Sequence, residues 1–238
     1  MSLHHFPQII SDSVMFYFDS RRTANYVGST VTSAIGTKSL TATNVTRSGI
    51  TTTFNNSSAF YASSYITDSA HDANYIVKSN MTVMTTFKVS ADINSGDPSY
   101  WRQVPFGFGQ DSSNGMWCIE VFPGLSITVR QKFDFDPLYG QDIFTGKYCQ
   151  LNKWVNVAFV NDGMITKTYV NGVFCTQRTI SSLTVTSAGI ARLSVGVQNS
   201  GTPIYGIMGN VDSAIVYSRA LSDAEILKNA TNFLARCA

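Results

Sequence analysis

Two stretches of the chain carry side chains suited to gripping a sugar. Tyr100-Trp101-Arg102 stands close to Asp97, and Tyr139 stands close to Asp136. A pyranose ring offers an apolar CH face and a rim of hydroxyl groups. Aromatic rings meet the first, because they are large, flat and polarised. Carboxylates and guanidinium groups meet the second through hydrogen bonds. Tyr, Trp and Arg are also the residues of protein interfaces. Subunit contact therefore stands beside sugar binding as a reading of both stretches.

Acid–base chemistry is poorly supplied. A retaining glycosidase sets two carboxyl groups about 5–5.5 Å apart. The chain has only two glutamates, Glu120 and Glu225. Glu225 follows Ser222 by three residues, the spacing of a helix capping box. Glu120 is followed by Val121-Phe122-Pro123-Gly124, with no second acid. Most aspartates adjoin Gly, Ser, Asn or Pro, where turns are expected. His4, His5 and His71 have no Ser or Cys nucleophile arrangement to pair with. The expectation is a protein with no catalytic residues.

Asp134, Asp136 and Asp142 gather in one segment and could offer oxygen ligands to calcium. The segment lacks the sixth-position glycine and the terminal glutamate of an EF-hand. A solvated acidic loop, offset by Lys132 and Lys147, is the plainer reading, and no cofactor is expected. The four cysteines show no CxxC spacing, so zinc is not expected either.

Composition narrows the class further. Of 238 residues, 44% are apolar and 12% aromatic, enough for a large core. Charged residues make up 13%, about half the usual roughly 25%. The net charge is +2, and Arg21-Arg22 is the only adjacent basic pair, so no nucleic-acid footprint is visible. No stretch approaches the roughly 20 apolar residues of a membrane helix. The first residues have no basic region followed by an apolar run, so no secretory signal is expected there. That setting points to free thiols.

These side chains need a scaffold, and period-two patterns supply one. Val14–Asp19, Met81–Val89, Val104–Gly109, Met116–Phe122 and Leu125–Gln131 read as strands, with shorter ones around 39–44 and 50–54. Trp154–Val160 alternates, with Val155, Val157 and Phe159 on one face, as a half-buried strand does. Met164–Val170 and Val173–Thr176 flank Asn171-Gly172, two residues that tolerate the positive φ of a type I′ hairpin. Ile226, Leu227, Ala230, Phe233 and Leu234 follow helical spacing and predict one amphipathic C-terminal helix. Ser90–Gln103 and Lys132–Gln150 read as long loops, which more often carry function than not. Residues 1–12 form an N-terminal arm ahead of a single domain over 13–238. Leu3, Phe6, Ile9 and Ile10 give the arm an apolar side, and Pro7 favours an extended path. Such an arm either docks on a neighbouring subunit or folds back along its own sandwich.

A set of short motifs carries a resemblance. They are Leu151-Asn152-Lys153-Trp154-Val155-Asn156-Val157-Ala158, Tyr169-Val170-Asn171-Gly172, Leu193-Ser194-Val195-Gly196, Gly209-Asn210-Val211-Asp212, and the run Tyr217 to Ile226. Together they resemble the second half of a laminin-G-like domain of the concanavalin-A-like superfamily. The resemblance implies an all-β, concanavalin-A-like jelly-roll sandwich with one C-terminal α-helix. It implies a structural hydrogen bond at Asp212, and closure near the C-terminus by a Cys175–Cys237 bridge would suit it. Endoglucanases of this superfamily use a Glu-x-Asp-x-x-Glu strand, which this sequence lacks. The opening Ser13 to Ser29 also resembles the start of laminin-G-like proteins of tailed phages. That second layer implies a non-enzymatic virion protein, a capsid decoration or fibre-like appendage assembled in the host cytoplasm. Its expected partners are other virion proteins, further copies of itself and cell-surface polysaccharide. A free carbohydrate-binding lectin or adhesion module is the alternative.

Overall fold

Alternating side chains build strands along most of the chain. The computed structural model describes residues 9–22, 26–35, 38–48, 51–56, 62–68, 80–93, 102–109, 116–132, 141–163, 165–179, 193–199 and 203–238. The strands in order are β1 Val14–Asp19, β2 Tyr26–Val27, β3 Thr30–Thr32, β4 Ser39–Thr43, β5 Val45–Ser48, β6 Thr51–Asn55, β7 Tyr65–Thr67, β8 Asn80–Val89, β9 Gln103–Gly109 and β10 Met116–Val121. Then come β11 Ser126–Lys132, β12 Gln141–Tyr148, β13 Val155–Asp162, β14 Ile165–Val170, β15 Val173–Thr179, β16 Leu193–Val195, β17 Gln198–Asn199, β18 Pro203–Ile204 and β19 Met208–Tyr217. One helix, α1 Asp223–Ala235, closes the chain. No helix among the described residues is long and apolar enough to cross a membrane.

Two antiparallel sheets face each other. One runs β15-β14-β13-β8-β19-β6-β5, with β1 also on β19. The other runs β12-β11-β10-β9-β16-β7-β4-β3-β2. The long β19 takes β6 along its first half and β1 along its second. Between the sheets lies the main core, which includes Phe16, Phe18, Phe54, Phe87, Phe106, Trp117, Val157 and Phe159. Trp117 of β10 stacks on Phe159 of β13 at 4.4 Å, ring to ring across the sandwich. Offset stacking of this kind adds about 0.5–1.5 kcal/mol to the burial itself.

The predicted jelly-roll sandwich with one helix is what forms, and three local readings change. First, β13 is buried on both faces, not one. Val155, Val157 and Phe159 enter the main core, while Ala158 and Val160 meet Ile226, Ala230 and Phe233 of α1 in a second cluster. The helix is a third layer on the eight-stranded sheet, so that sheet has no wet centre. Second, the buried face of α1 includes Asn229, while Leu227 is 50% exposed. Asn229 earns its place by hydrogen bonding: its Oδ1 accepts from Ile10 N at 3.0 Å, and its Nδ2 donates to Tyr217 Oη at 2.9 Å. Third, the long loop expected from Lys132 to Gln150 contains β12, the edge strand of the nine-stranded sheet.

The Asn171-Gly172 turn is as predicted. Asn171 has φ 53° and Gly172 φ 78°, and Val170 pairs with Val173. Ser222 and Glu225 form the capping box: Ser222 Oγ accepts from Glu225 N, and Glu225 Oε2 accepts from Ser222 N at 2.9 Å. Arg219 grips Glu225 at 2.7 Å and Asp12 at 2.9 Å. The hydrogen bond from Arg219, with help from Ser222, holds the Glu225 carboxyl down at about 2. Ser222→Ala is expected to destabilise the protein by about 1 kcal/mol. The Glu225 contribution should be complete above about pH 4.5, the unfolded value, and fade as pH falls towards about 2. Urea midpoints taken between those limits check both effects, and a flat pH profile in the Glu225→Gln variant is the matching control.

The described end of the N-terminal arm lies on its own domain. Ile9 and Ile10 are partly buried against the cluster under α1, and Ile10 O accepts from Tyr217 Oη at 2.9 Å. Leu3 and Phe6 lie outside the described residues. The four cysteines are free: Cys118 and Cys149 are buried, Cys175 and Cys237 partly so.

Candidate functional site

A charged cluster sits where the fold does not require one, on the outer face of the nine-stranded sheet. Alternation along β10 sends Trp117, Ile119 and Val121 into the core. It sends Cys118 and Glu120 the other way. On β11, Ile127 and Val129 point in, and Thr128 and Arg130 point out. The register sets Glu120 opposite Thr128 and Cys118 opposite Arg130. Arg102, just before β9, reaches the same place because β9 pairs with β10 and Gln103 lies opposite Val121.

Glu120 is fully buried, and its carboxylate is held from two sides. Arg102 Nε stands 3.2 Å from Oε1, and Arg130 Nε stands 3.5 Å from Oε2. Cys118 Sγ donates to Oε1 at 3.1 Å. Tyr205 completes the cluster, with the Arg102 guanidinium 4.1 Å from its ring centroid. The β17–β18 ribbon brings it there: Val104 N donates to Tyr205 O at 2.9 Å, and Val104 bridges to Gly206. Such a guanidinium–ring contact is worth about 0.5–2 kcal/mol, more when dry. A buried ion cluster costs desolvation that an apolar one would not, so its presence is weak evidence of a stabilising role.

Of the residues predicted to bind sugar, Arg102 is the one among the described residues. Asp97, Tyr100, Trp101, Asp136 and Tyr139 lie outside the described residues. The strands that bear their two segments do fix where those segments attach. Gln103 and Ser126 are at one end of the β9–β10–β11 group, and Gly109 and Lys132 are at the other. The segments before β9 and after β11 therefore leave from opposite ends of the strands, with the Arg102–Glu120–Arg130 cluster between. Asp134 is outside the described residues as well, and Asp142 lies in β12 opposite Arg130. Among the described residues no group of three or more His, Cys, Asp and Glu is placed to hold a metal.

Glu120, Arg130 and Tyr205 were not predicted as site residues. Glu120 carried a usable signal, since it is a charge at a strand position flanked by Ile119 and Val121, and Arg130 carried a weaker one, between Val129 and Gln131. Tyr205 carried none, because its approach depends on a two-residue ribbon. The adjacent pair Arg21-Arg22 turns inward: Arg21 Nε donates to Asp212 at 2.9 Å and Arg22 to Ala34 O at 3.1 Å. Asp212 has the structural role expected of it, accepting also from Arg236 Nε at 2.7 Å.

Residues 68–227 match the laminin-G-type family described as the Concanavalin A-like lectin/glucanases superfamily. The chain belongs to that family. No curated protein sequence matches it. Among solved structures, it is similar to a Trypanosoma rangeli sialidase in complex with sialic acid, at 14% identity and a TM-score of 0.67. That match covers 96% of this chain and 34% of the sialidase, so the chain spans about a third of its length. It is similar to domain 4 of AbnA, a GH43 extracellular arabinanase from Geobacillus stearothermophilus, in complex with arabinotriose. Identity there is 15%, TM-score 0.57, with 92% of this chain and 98% of that one covered. The Ruminococcus gnavus IT-sialidase CBM40 bound to α2,3-sialyllactose matches at 14% identity and TM-score 0.51, over 63% of this chain and 81% of that one. At these identities the likeness is one of fold.

Proposed function

We propose that this chain is a non-enzymatic carbohydrate-binding module displayed on a tailed-phage particle, as a capsid decoration or a fibre-like appendage. The observation that carries sugar binding is the Arg102–Glu120–Arg130 cluster with Tyr205 on the outer sheet face. Arg130, whose side chain is 19% exposed, is the charged member nearest solvent, and a guanidinium positioned by Glu120 would meet a sugar hydroxyl or carboxylate with little ordering cost. The segments bearing Tyr100, Trp101 and Tyr139 attach at either end of that face and would supply aromatic surface. Membership of a superfamily that includes lectins agrees with the reading, as do fold neighbours solved with sialic acid, sialyllactose and arabinotriose. Among the described residues, Glu120 meets two guanidiniums and a thiol, and hydrolysis of a glycoside calls for a second carboxyl. The place on a particle rests on the opening Ser13 to Ser29.

The test joins binding to turnover. The protein should bind host-surface polysaccharide and release no reducing ends. Arg130→Ala should weaken that binding about tenfold, the loss of roughly one charged hydrogen bond, while the fold stays intact by circular dichroism. Release of reducing ends that Glu120→Gln abolishes would replace this reading with a hydrolase. Mass spectrometry of purified particles should find the chain, and its absence would favour the free lectin.

A further inference from the structure

A cleft of about 230 Å³ opens at the rim where the two sheets approach each other. The end of β12 forms one wall, the turn into β13 another, and the β14–β15 turn the third. Its floor includes Cys149, whose thiol burial pushes up to about 12, so the floor is inert rather than nucleophilic. Tyr148 stands on one wall with 68% of its surface exposed. A ring that open contributes little to the core, and its face is accessible from the cleft it lines. Trp154 is half-buried on the facing side, and Lys88 Nζ lies 5.1 Å from its ring centroid.

The polar groups of the cleft have a definite character. Asn171 Oδ1 accepts from Asn156 N at 2.9 Å, so Nδ2 is the donor it offers the cleft. Gln150 and Lys153 are exposed beside it. Among the described residues lining the cleft there is no Asp or Glu, and Lys153 is the charge. The volume is below the roughly 300–1,000 Å³ of a drug-sized pocket, which suits a single sugar residue.

We infer that this rim cleft is a second carbohydrate subsite, which takes one carboxylated pyranose with its ring on Tyr148 and its carboxylate on Lys153. Gln150 and Asn171 meet the hydroxyls. The subsite is separate from the outer-face cluster and goes beyond the function proposed for that face. It would bind a uronate or a sialate and discriminate against its neutral counterpart.

Calorimetric titration with trigalacturonate, its methyl ester and 3′-sialyllactose tests the inference. At least one acid probe should bind, and the ester should bind about tenfold more weakly than the free acid. Lys153→Gln should erase that difference, and Tyr148→Ala should weaken acid and ester alike. Raising the salt should weaken only the acid. Both side chains are exposed, so neither variant should alter the melting temperature much. The titrations are repeated on the Arg130→Ala background, where binding at the outer face is weakened and the effects of Lys153→Gln and Tyr148→Ala report the rim. Equal affinity for acid and ester overturns the inference. So does retention of full affinity by Lys153→Gln and Tyr148→Ala, or no binding of any acid probe at millimolar concentration.

Discussion

Replacing Arg236 with alanine is expected to lower the unfolding free energy by about 3–5 kcal/mol, the usual cost of breaking a buried ion pair from one side. Arg236 caps the C-terminal end of α1 and turns back under the sheet. Its Nη2 donates to Asp19 Oδ1 at 2.8 Å, its Nε to Asp212 Oδ2 at 2.7 Å, and its Nη1 to Tyr17 Oη at 3.1 Å. Asp19 and Asp212 are 0% and 2% exposed at the side chain. Burial works against the Arg236 charge, and Asp212, Tyr17 and Asp19 more than offset it, so the guanidinium stays protonated. With Arg21 the cluster is neutral, two cations against two anions. Alanine at 236 leaves two buried carboxylates to Arg21 alone. A fall in the urea midpoint worth less than about 1 kcal/mol would mean the cluster relaxes to water at no cost. Asp19→Ala made on the Arg236→Ala background should cost much less than on the native chain, because the pair is coupled.

Gly209→Ala is expected to cost about 3 kcal/mol or more and to lower the melting temperature by roughly 6–12 °C. Gly209 lies in β19 between two strands, paired with Val89 of β8 and Phe54 of β6. A Cβ there would stand 2.1 Å from Lys88 O and 3.0 Å from Val89 Cα. Both are backbone atoms of a central ladder, so nothing flexible can give way. Gly163→Ala is the comparison, because a Cβ at Gly163 meets nothing within 4 Å. Its φ of 68° still penalises alanine, by about 1 kcal/mol. Equal losses at the two positions would show that φ, not close approach, explains the glycine at 209.

The gap between β12 and the long loop expected there has a specific cause. In that strand Ile143 and Thr145 face inward and Phe144 faces out, 61% exposed. A polar residue at a buried position and an aromatic at a wet one invert the pattern by which strands are recognised. Thr145 can go inside because its hydroxyl donates to Ile127 O at 2.8 Å. The helix face shifted for a related reason. Asn229 displaced Leu227 from the buried side because Tyr217 and Ile10 were waiting with hydrogen bonds, and both lie on other elements. At the candidate site, Arg102 was legible as a chemical group, but its partners were not.

What the sequence determined by itself is local. Period two set strands such as β10 and β11, positive-φ tolerance set the Asn171-Gly172 hairpin, and Ser222 with Glu225 set the start of the helix. Each depends on residues within a few positions of one another, whose backbone angles and side-chain faces follow from their own chemistry. What only the tertiary structure decided is which distant groups meet. Glu120 lies between Arg102 and Arg130 because β9, β10 and β11 pair in one register, and a shift of one residue would turn Glu120 into the core. Asp19 and Asp212 share Arg236 because β1 and β19 are neighbours, although nearly the whole chain separates them. Tyr148 and Trp154 flank one cleft because the edges of two sheets converge there. Those meetings depend on strand order and on how the sheets stack, which no short run of residues encodes.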